Sequence, residues 1–363
     1  MATNPAIHYN MDNLKKQKAL FNIMYGERSN GKSYQLKTKV MLIKKVIEGD
    51  DKFVLVRRFK DELKTSSIEW YFNDIDIEKL TKGQYNCIEM FRREIFLATF
   101  DQKKMKRIRG KKIGYAIPLE DEQDYAGGSF LDVHDIVFEE FMSRSRYLPD
   151  EPSKLMNLYC TIDRKRGTTR LWMCGNTISR VCPYLTDWNL KDIMQTQQQG
   201  TIETMQLPVD KYDTTIKLAI EYCKDTGRTS FTIGSHAEML NTGAWQSDPQ
   251  PHLKKSLKNY QTIFTCVMMY KQFSFLCRYI ADIDTGERVW FICEKKTKVK
   301  PDTWVFSDQI SQDKKWFRDI YSARTKNEKL ANIFNDFRES KIFYSTDLLG
   351  TDFKQAIDFI IKR

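Results

Sequence analysis

The sequence is poor in the residues that build metal frameworks and covalent cross-links. It contains four histidines, and none stands at metal-ligand spacing from another histidine or from a cysteine. Its eight cysteines are widely separated, form no C-x-x-C pair and have mostly apolar neighbours. We therefore expect buried free thiols in a reducing compartment, with neither a disulfide framework nor a transition-metal site.

Long apolar segments are also missing. The stretch from Met1 to Lys18 is polar and lacks the apolar region of a secretion signal. No run of about 18 apolar residues, the length that spans a bilayer, occurs anywhere. We expect a soluble, intracellular protein with no membrane partner.

What the sequence does contain is enough apolar material for large cores and an excess of positive charge. Of its 363 residues, 41% are hydrophobic and 13% are aromatic, and the length suits two domains better than one. Lysine and arginine number 59 against 48 acidic residues, for a net charge of +11. Such a balance favours polyanionic partners, nucleic acid first among them, although many basic proteins bind none.

Strands and helices alternate through the first half of the chain. An apolar run from Leu20 to Tyr25 predicts a strand, and apolar positions from Leu36 to Ile47 share one helical face after Ser33. A second helix is predicted from Asp150 to Arg164. Further strands are predicted at Phe53–Val56, Cys87–Phe91, Glu94–Phe100, Ile113–Leu119, Ile136–Phe138 and Leu171–Cys174. This order favours a mostly parallel sheet with helices on both faces, in an α/β domain over residues 1–208.

The pattern after residue 208 is weaker. A helix at Thr215–Lys224 and a turn containing proline suggest a small linker module over residues 209–258. A second α/β unit then follows over residues 259–363. Its predicted elements are strands at Ile263–Tyr270, Phe273–Ala281 and Arg288–Cys293, a helix at Lys326–Glu339, a strand at Ile342–Tyr344 and a helix at Phe353–Ile361.

One short motif identifies a phosphate-binding loop. The residues Gly26-Glu27-Arg28-Ser29-Asn30-Gly31-Lys32-Ser33 match G-x-x-x-x-G-K-[ST], between a predicted strand and a predicted helix. The glycines let backbone N–H groups face a phosphate, next to the positive end of the helix. We expect Lys32 to reach the β- and γ-phosphates of ATP and Ser33 to bind Mg²⁺.

Two acids end a later strand. Ile136 to Phe138 is apolar and is followed by Glu139 and Glu140, which a parallel sheet would bring to the edge that holds the loop. We assign Glu139 to the metal and Glu140 to the attacking water as general base. The first acid is glutamate in place of the usual aspartate, which leaves open which carboxylate has which task.

Phosphoryl transfer also needs positive charge at the γ-phosphate. Arg164 and Arg166, at the end of the second predicted helix, are candidates for supply from a neighbouring subunit, or are solvated helix-end charges. Arg28 could act within its own loop. Asn176, after the strand that follows, is either a γ-phosphate contact or an ordinary turn residue.

Together, these motifs resemble the DNA-packaging (encapsidation) ATPases of the small podophages of the phi-29 group. The likeness extends over roughly residues 20 to 186 and weakly beyond. It rests on the loop, the acids and four further segments: Phe53–Lys60, Gly114–Leu119, Asn157–Arg166 and Cys182-Pro183-Tyr184.

The resemblance implies a P-loop NTPase fold of the additional-strand, catalytic-glutamate type. It implies a homo-oligomeric ring, a pentamer in that family, which uses ATP and Mg²⁺ to pump double-stranded DNA into a prohead. The implied partners are the prohead portal and a structural packaging RNA. The implied location is the host cytoplasm and, transiently, the portal vertex, with no place in the mature virion. Arg164 matches the trans-acting arginine finger of the family.

The second α/β unit is similar in its order of elements to the RNase-H-like nucleases of large packaging motors. Such a nuclease needs acids on its first and fourth strands to hold two metal ions. Ile263–Gln272 and Lys341–Thr346, which we take as those strands, contain no Asp or Glu. We therefore expect a vestigial, nuclease-dead domain that binds nucleic acid or the portal.

DNA contacts should involve phosphates, because a motor that moves any genome cannot depend on base edges. The candidates are basic residues in two connections, although each is individually as well explained as surface charge: Lys104, Lys106, Arg107, Arg144 and Arg146. Three other functions stay open. They are a nuclease-competent terminase, a P-loop kinase or nucleotide switch without motor action, and a nucleic-acid-binding protein with a decayed ATP site.

Overall fold

A computed structural model of the protein describes most of the chain and places it in two compact units. The described residues are 8–101, 105–143, 146–209, 214–227, 244–245, 247–271, 273–296, 298, 302–309, 317–321 and 328–362. Within them, the first unit contains residues up to 178, residues 187–227 and residue 244, and the second contains 179–186 and residues from 245 onward. The candidate chemistry lies in the first unit.

The first unit is built on nine described strands. They are β1 Phe21–Gly26, β2 Lys52–Arg57, β3 Cys87–Phe91, β4 Glu94–Asp101, β5 Lys106–Pro118, β6 Val133–Glu139, β7 Arg170–Asn176, β8 Ile202–Pro208 and β9 Thr215–Tyr222. The described α-helices up to residue 196 are α1 Asp12–Lys16, α2 Lys32–Leu36, α3 Lys44–Ile47, α4 Thr65–Tyr71, α5 Ile77–Leu80, α6 Glu151–Asp163, α7 Pro183–Asp187 and α8 Lys191–Thr196, of which α7 belongs almost wholly to the second unit.

The nine strands form one sheet in the order β3-β4-β5-β2-β6-β7-β1-β9-β8. The six from β5 to β9 in this order are parallel, whereas β3, β4 and β8 are antiparallel to their neighbours. Strand β7 lies between β1 and β6, as the additional-strand type of P-loop fold requires. The carboxyl ends of β1, β2, β6 and β7 therefore meet at one edge of the sheet, which we call the carboxyl edge.

Burial explains why these segments form the central strands. Every residue of β1 is buried, and β2 and β6 are nearly as apolar and as deeply buried. Parallel strands covered on both faces have such continuous apolar runs. Helix α6 packs on the sheet through Leu155, Leu158 and Ile162, which are all fully buried, as its sequence predicts.

Three local predictions for the first unit are wrong. Thr215–Tyr222 is strand β9 and not a helix, because it pairs with β1 on one side and with β8 on the other, and its last five residues are all buried. The boundary expected near residue 208 therefore falls inside the antiparallel pair β8–β9. Strand β5 begins at Lys106, so much of the basic connection is itself strand.

The helix predicted after the loop is interrupted. It begins as α2, continues as a π-helical segment at Lys37–Met41, and resumes as α3 after Ile43. Segments of π-helix frequently occur at functional sites. Here the wider turn contains Lys37, whose side chain is 6% exposed.

The second unit contains a six-stranded sheet in the order β14-β13-β10-β11-β12-β15. Its described elements are β10 Tyr260–Tyr270, β11 Phe273–Asp282, β12 Arg288–Glu294, β13 Trp304–Ser307, β14 Phe317–Asp319, β15 Ile342–Tyr344, α9 Glu328–Arg338 and α10 Asp347–Lys362. The three expected strands, the strand at Ile342–Tyr344 and both helices are confirmed, and α10 begins six residues earlier than predicted.

The prediction that Lys341–Thr346 contains the fourth strand of the nuclease-like unit is wrong. The strand that runs parallel to β10 is β13, whereas Ile342–Tyr344 is parallel to β12. The pattern missed β13 because only four residues form it. Neither β10 nor β13 contains an acid, but Asp308 directly follows β13 and accepts a hydrogen bond from the Lys271 amide at 2.9 Å.

All eight cysteines are free thiols, and five of them are buried. Cys160 is exposed, contrary to the expectation that the thiols are buried. Across the described residues, no helix combines the length and the apolar character needed to cross a bilayer.

Candidate nucleotide-binding site

The loop after β1 has the backbone that its glycines predict. Gly26 has a φ of 146° and Gly31 a φ of 101°, both in the region that side chains disfavour. A Cβ at Gly26 would stand 3.1 Å from the Cys223 carbonyl oxygen. The sequence therefore needs glycine at Gly26 both for its backbone angle and for space beside the chain that follows β9.

Polar groups of the loop point inward. Lys32 is 4% exposed, and its ammonium donates to the Glu27 carbonyl and to Asn30 Oδ1 at 3.1 Å. Asn30 is 1% exposed, and its Nδ2 has no hydrogen-bond partner among the described residues. A buried donor without an acceptor is costly, so this amide suits a ligand oxygen such as that of a phosphate.

Two distant segments anchor the loop. Tyr9 N donates to the Asn30 carbonyl at 3.0 Å. On the other side, the buried Glu27 carboxylate accepts from Thr226 N at 2.8 Å and from Thr226 Oγ1 at 3.2 Å. Tyr9 is itself tied to the end of β9, since its hydroxyl donates to Glu221 Oε2 at 2.6 Å. The loop is thus held by contacts made about 200 residues apart in sequence.

Glu139 lies opposite the loop, at the end of β6. It is 4% exposed, and its Oε2 accepts from Ser33 Oγ at 3.1 Å while its Oε1 accepts from the Tyr71 hydroxyl at 2.6 Å. Burial, and next the charge of Glu139, raise the pKa of Tyr71 well above its usual value, so its hydroxyl keeps its proton. A hydroxyl and a carboxylate side by side fit Mg²⁺, which binds one or two such oxygens and completes its shell with water and phosphate.

Glu140 follows in a left-handed backbone conformation, with a φ of 57°. Its side chain is 59% exposed and faces Arg57 at the end of β2, with 3.2 Å between Arg57 Nη2 and Glu140 Oε2. The two neighbouring acids therefore have different surroundings, one buried and hydrogen-bonded, the other accessible and paired with a cation.

The turn that presents Glu140 is held by a buried arginine. Arg58 forms a two-pronged ion pair with Glu151, at 2.7 and 2.8 Å, and both side chains are at most 4% exposed. Its remaining N–H groups donate to the carbonyls of Glu140 and Phe141, at 3.2 and 2.8 Å. This network fixes the backbone directly after β6, and so fixes where the Glu140 side chain begins.

A cavity of about 320 Å³ lies between the loop and the acids. It is lined by Arg28, Ser29, Asn30, Gly31, Lys32, Ser33, Tyr34, Lys37, Asp74, Glu139, Glu140, Cys174, Gly175 and Asn176. The geometry thus combines a phosphate-type loop, a metal-type oxygen pair and an accessible carboxylate around one space. Such an arrangement can bind a nucleoside triphosphate and hydrolyse it.

The sequence can now be compared with known proteins. A family model described as podovirus DNA encapsidation protein (Gp16) matches residues 3–272, more than half of the chain. The DNA packaging protein of Bacillus phage B103 is 33% identical over 261 residues, which cover 68% of this chain and 71% of that protein. The chain belongs to the podovirus DNA encapsidation family.

Other members of the encapsidation family align over a shorter stretch. The DNA packaging protein of Bacillus phage phi29 is 32% identical over 193 residues. In this alignment, and in that with the phage PZA protein, the chain spans about half the length of its relative. The solved bacteriophage Phi-29 viral genome packaging motor assembly contains a chain with the same fold. That chain is 22% identical with a TM-score of 0.54, over 97% of this chain and all of the other.

The structure brings most of the predicted site residues of this encapsidation-family chain together. Six loop residues from Arg28 to Ser33, both acids and Asn176 line the cavity. Glu27 does not line it, because its side chain is buried against Thr226. The contacts of Tyr9, Arg58, Tyr71 and Thr226 were missed by the sequence analysis, since each depends on residues distant in the chain.

The two predicted arginines lie at the opposite edge of the sheet, which we call the amino edge. Arg164 ends α6, is exposed, and donates to the Gly128 carbonyl at 2.6 Å. Arg166 is partly buried and donates to five backbone carbonyls and to Thr169 Oγ1. Neither reaches the cavity of its own chain.

Three of the five predicted DNA contacts lie within the described residues, two on β5 and one after β6. Lys106 and Arg107 begin this strand, and Arg107 pairs with Glu69. Arg146 lies over the ring of Phe59, with 4.7 Å between the guanidinium carbon and the ring centre. The other two candidates, Lys104 and Arg144, lie outside the described residues.

Proposed function

We propose that this chain is an ATP-hydrolysing motor that drives double-stranded DNA into a preformed viral prohead. The observation that carries the proposal is the carboxyl edge, where a phosphate-type loop faces two glutamates across one cavity. The family supports it, since the relatives are DNA packaging proteins. Membership of the encapsidation family favours this function over that of a kinase or a nucleotide switch.

The residues of the site divide the task of hydrolysis. Backbone amides from Gly26 to Ser33 and the Lys32 ammonium hold the phosphates of ATP, and the orphaned Asn30 amide supplies a further donor. Ser33 and Glu139 hold Mg²⁺, which supplies charge neutralisation at the phosphates when bound. Glu140 orients and deprotonates the attacking water, because it alone of the two acids is accessible. Asn176 contacts the γ-phosphate.

A homo-oligomeric ring, of five copies as in the resembling motors, completes the site. The exposed Arg164 of one copy enters the cavity of the next and stabilises the charge on the γ-phosphate. Arg166 is the weaker candidate because its N–H groups already donate hydrogen bonds to the surrounding carbonyls. Arg28 lines the cavity within the same chain and is the alternative in cis.

DNA is gripped through its phosphates, by basic residues at the start of β5 and after β6. Lys106 and Arg107 stand at the start of β5, beside exposed Met105 and Ile108, and Arg146 follows the acidic strand. Lys104 and Arg144 belong to the same proposal. A net charge of +11 supports phosphate contacts of low sequence specificity.

The second unit serves as a binding domain without nuclease activity. Its first strand, β10, has no acid to hold a metal ion, which supports this assignment. Basic residues there suit the portal or a structural RNA. The protein acts in the host cytoplasm and at the portal vertex, and leaves before the virion matures.

The decisive measurement is ATP hydrolysis by the full chain, with and without long duplex DNA at moderate salt, together with its oligomeric state. We expect Mg²⁺-dependent hydrolysis that duplex DNA stimulates, from a ring. Lys32→Ala should abolish it, and Lys44→Ala, at an exposed lysine of α3, should not. Hydrolysis that is indifferent to DNA would favour a nucleotide switch, and metal-dependent cleavage of plasmid DNA would favour a terminase with an active nuclease.

A further inference from the structure

The carboxylate of Glu139 is held at both of its oxygens by different partners. Ser33, on the loop side, donates to Oε2 at 3.1 Å, and Tyr71, on the far side, donates to Oε1 at 2.6 Å. In P-loop folds, the strand that delivers the metal-binding acid usually ends in aspartate. Glutamate has one more methylene and one more torsion to fix, so the second contact restricts a side chain that the first alone would leave with more conformations.

Tyr71 is itself fixed from the loop side. It ends α4, and its carbonyl accepts from Lys37 Nζ at 2.8 Å, while that ammonium also pairs with Asp74. The Lys37 nitrogen stands 5.0 Å from the centre of the Tyr71 ring, and Phe72 packs edge-on against that ring at 4.9 Å. Lys37 belongs to the π-helical segment that continues from α2. Tyr71 thus connects the helix of the phosphate-type loop with the acidic strand.

We propose that Tyr71 is a positioning residue, whose hydroxyl holds one oxygen of Glu139 so that the other stays directed at Ser33 and the proposed magnesium position. This inference rests on the proposed function. Its physical basis is that groups which bind a metal are themselves oriented by hydrogen bonds from behind, and that losing such a bond weakens metal affinity. A neutral tyrosine donor orients the carboxylate and leaves its negative charge in place for the metal.

A purely structural role for Tyr71 makes different predictions. The substitution Tyr71→Phe keeps the ring, its packing on Phe72 and the backbone contact with Lys37, and removes only the hydroxyl. If Tyr71 only packs, the change would alter stability and leave magnesium dependence as it is. If it positions Glu139, magnesium dependence changes in the folded protein.

The test titrates Mg²⁺ into the full chain with a fluorescent ATP analogue and measures the concentration that gives half-maximal nucleotide binding. We expect Tyr71→Phe to raise this concentration about tenfold, and to leave the weak binding of metal-free nucleotide unchanged. The matched control is Tyr159→Phe, which also removes a tyrosine hydroxyl. That hydroxyl donates to the Thr169 carbonyl at 2.9 Å, and neither residue lines the cavity. The control should lose stability without any change in magnesium dependence.

A second variant tests the same contact from the side of the carboxylate. Glu139→Asp withdraws the carboxylate from Tyr71 by one methylene, and should raise the half-maximal Mg²⁺ concentration by a similar factor. In the double variant the two effects should not multiply, because both remove the same contact. Effects that multiply, or an unchanged magnesium dependence in folded Tyr71→Phe, would overturn the positioning role. Absence of magnesium-dependent nucleotide binding in the unmodified chain would instead overturn the proposed function.

Discussion

The carboxyl and amino edges of the nine-stranded sheet differ in burial, charge and degree of connection. At the carboxyl edge, Lys32, Asn30 and Glu139 are at most 4% exposed, and each contacts another part of the site. At the amino edge, a cavity of about 470 Å³ is lined by Lys15, Lys18, Lys45, His134 and Arg170, among others. Arg164 is exposed at the end of α6.

This difference indicates what one chain can do alone. The carboxyl edge has the donors and oxygens needed to bind a triphosphate and its metal. The cation proposed for the γ-phosphate stands at the amino edge, with the sheet between it and its own cavity. Under the proposed function, binding is a property of one chain, whereas fast hydrolysis is a property of two.

Among the changes that separate the two edges, the largest effect should come from Arg164. Arg164→Ala should lower hydrolysis about 10³-fold or more, because an arginine at the γ-phosphate contributes that much in related chemistry. Nucleotide affinity should not change, since the arginine lies outside its own cavity. Lys165→Ala, at the next exposed position, is the control. Mixed rings of Arg164→Ala and Glu140→Gln should regain activity, and rings that regain none would remove the trans role.

Next in size is Glu140. Glu140→Gln should lower the rate constant of hydrolysis by about 10²- to 10³-fold, since it removes the general base, while ATP still binds. Single-turnover hydrolysis and equilibrium nucleotide binding measure the two separately. Glu78→Gln, at an exposed position on α5, should change neither the rate constant of hydrolysis nor nucleotide binding. If Glu139→Gln abolished hydrolysis with full metal affinity, and Glu140→Gln did not, the roles of the two acids would be exchanged.

A smaller effect, and of another kind, is expected for Arg166. Because its guanidinium donates to carbonyls at the start of β6 and the end of α6, Arg166→Ala should lower the free energy of unfolding by about 2 kcal/mol. Denaturant unfolding of both arginine variants would separate the two residues. A stable Arg166→Ala protein that binds ATP but does not hydrolyse it would make Arg166, and not Arg164, the trans-acting arginine.

The smallest effect concerns the anchor of the loop. Thr226→Ala removes the hydroxyl contact with Glu27 and keeps the amide contact, so nucleotide affinity should fall about fivefold, equivalent to about 1 kcal/mol. Thr38→Ala, at a partly exposed position of the π-helical segment, should leave affinity unchanged. Equilibrium binding of ATP measures both, and equal affinities would show that the amide contact suffices.

The loop and the acids could be predicted because their chemistry is local. Gly26 to Ser33 form one short motif, and Glu139 and Glu140 directly follow an apolar strand. Arg58, Tyr71 and Thr226 could not be found in this way, because nothing near them in sequence shows which side chain they meet. The misassigned strands have a related cause. In β9 and β13 the segment is short or ambiguous, and pairing with a distant strand decides its conformation.

The position of β9 has a consequence for how the molecule can be divided and made. Because β1 is flanked by β7 and β9, a fragment that stops at Pro208 would leave one side of the loop-bearing strand unpaired and Glu27 without Thr226. Such a fragment would offer an open strand edge to other chains, which is a route to aggregation. During synthesis, likewise, the contact between Glu27 and Thr226 that anchors the loop cannot form until residue 226 has left the ribosome.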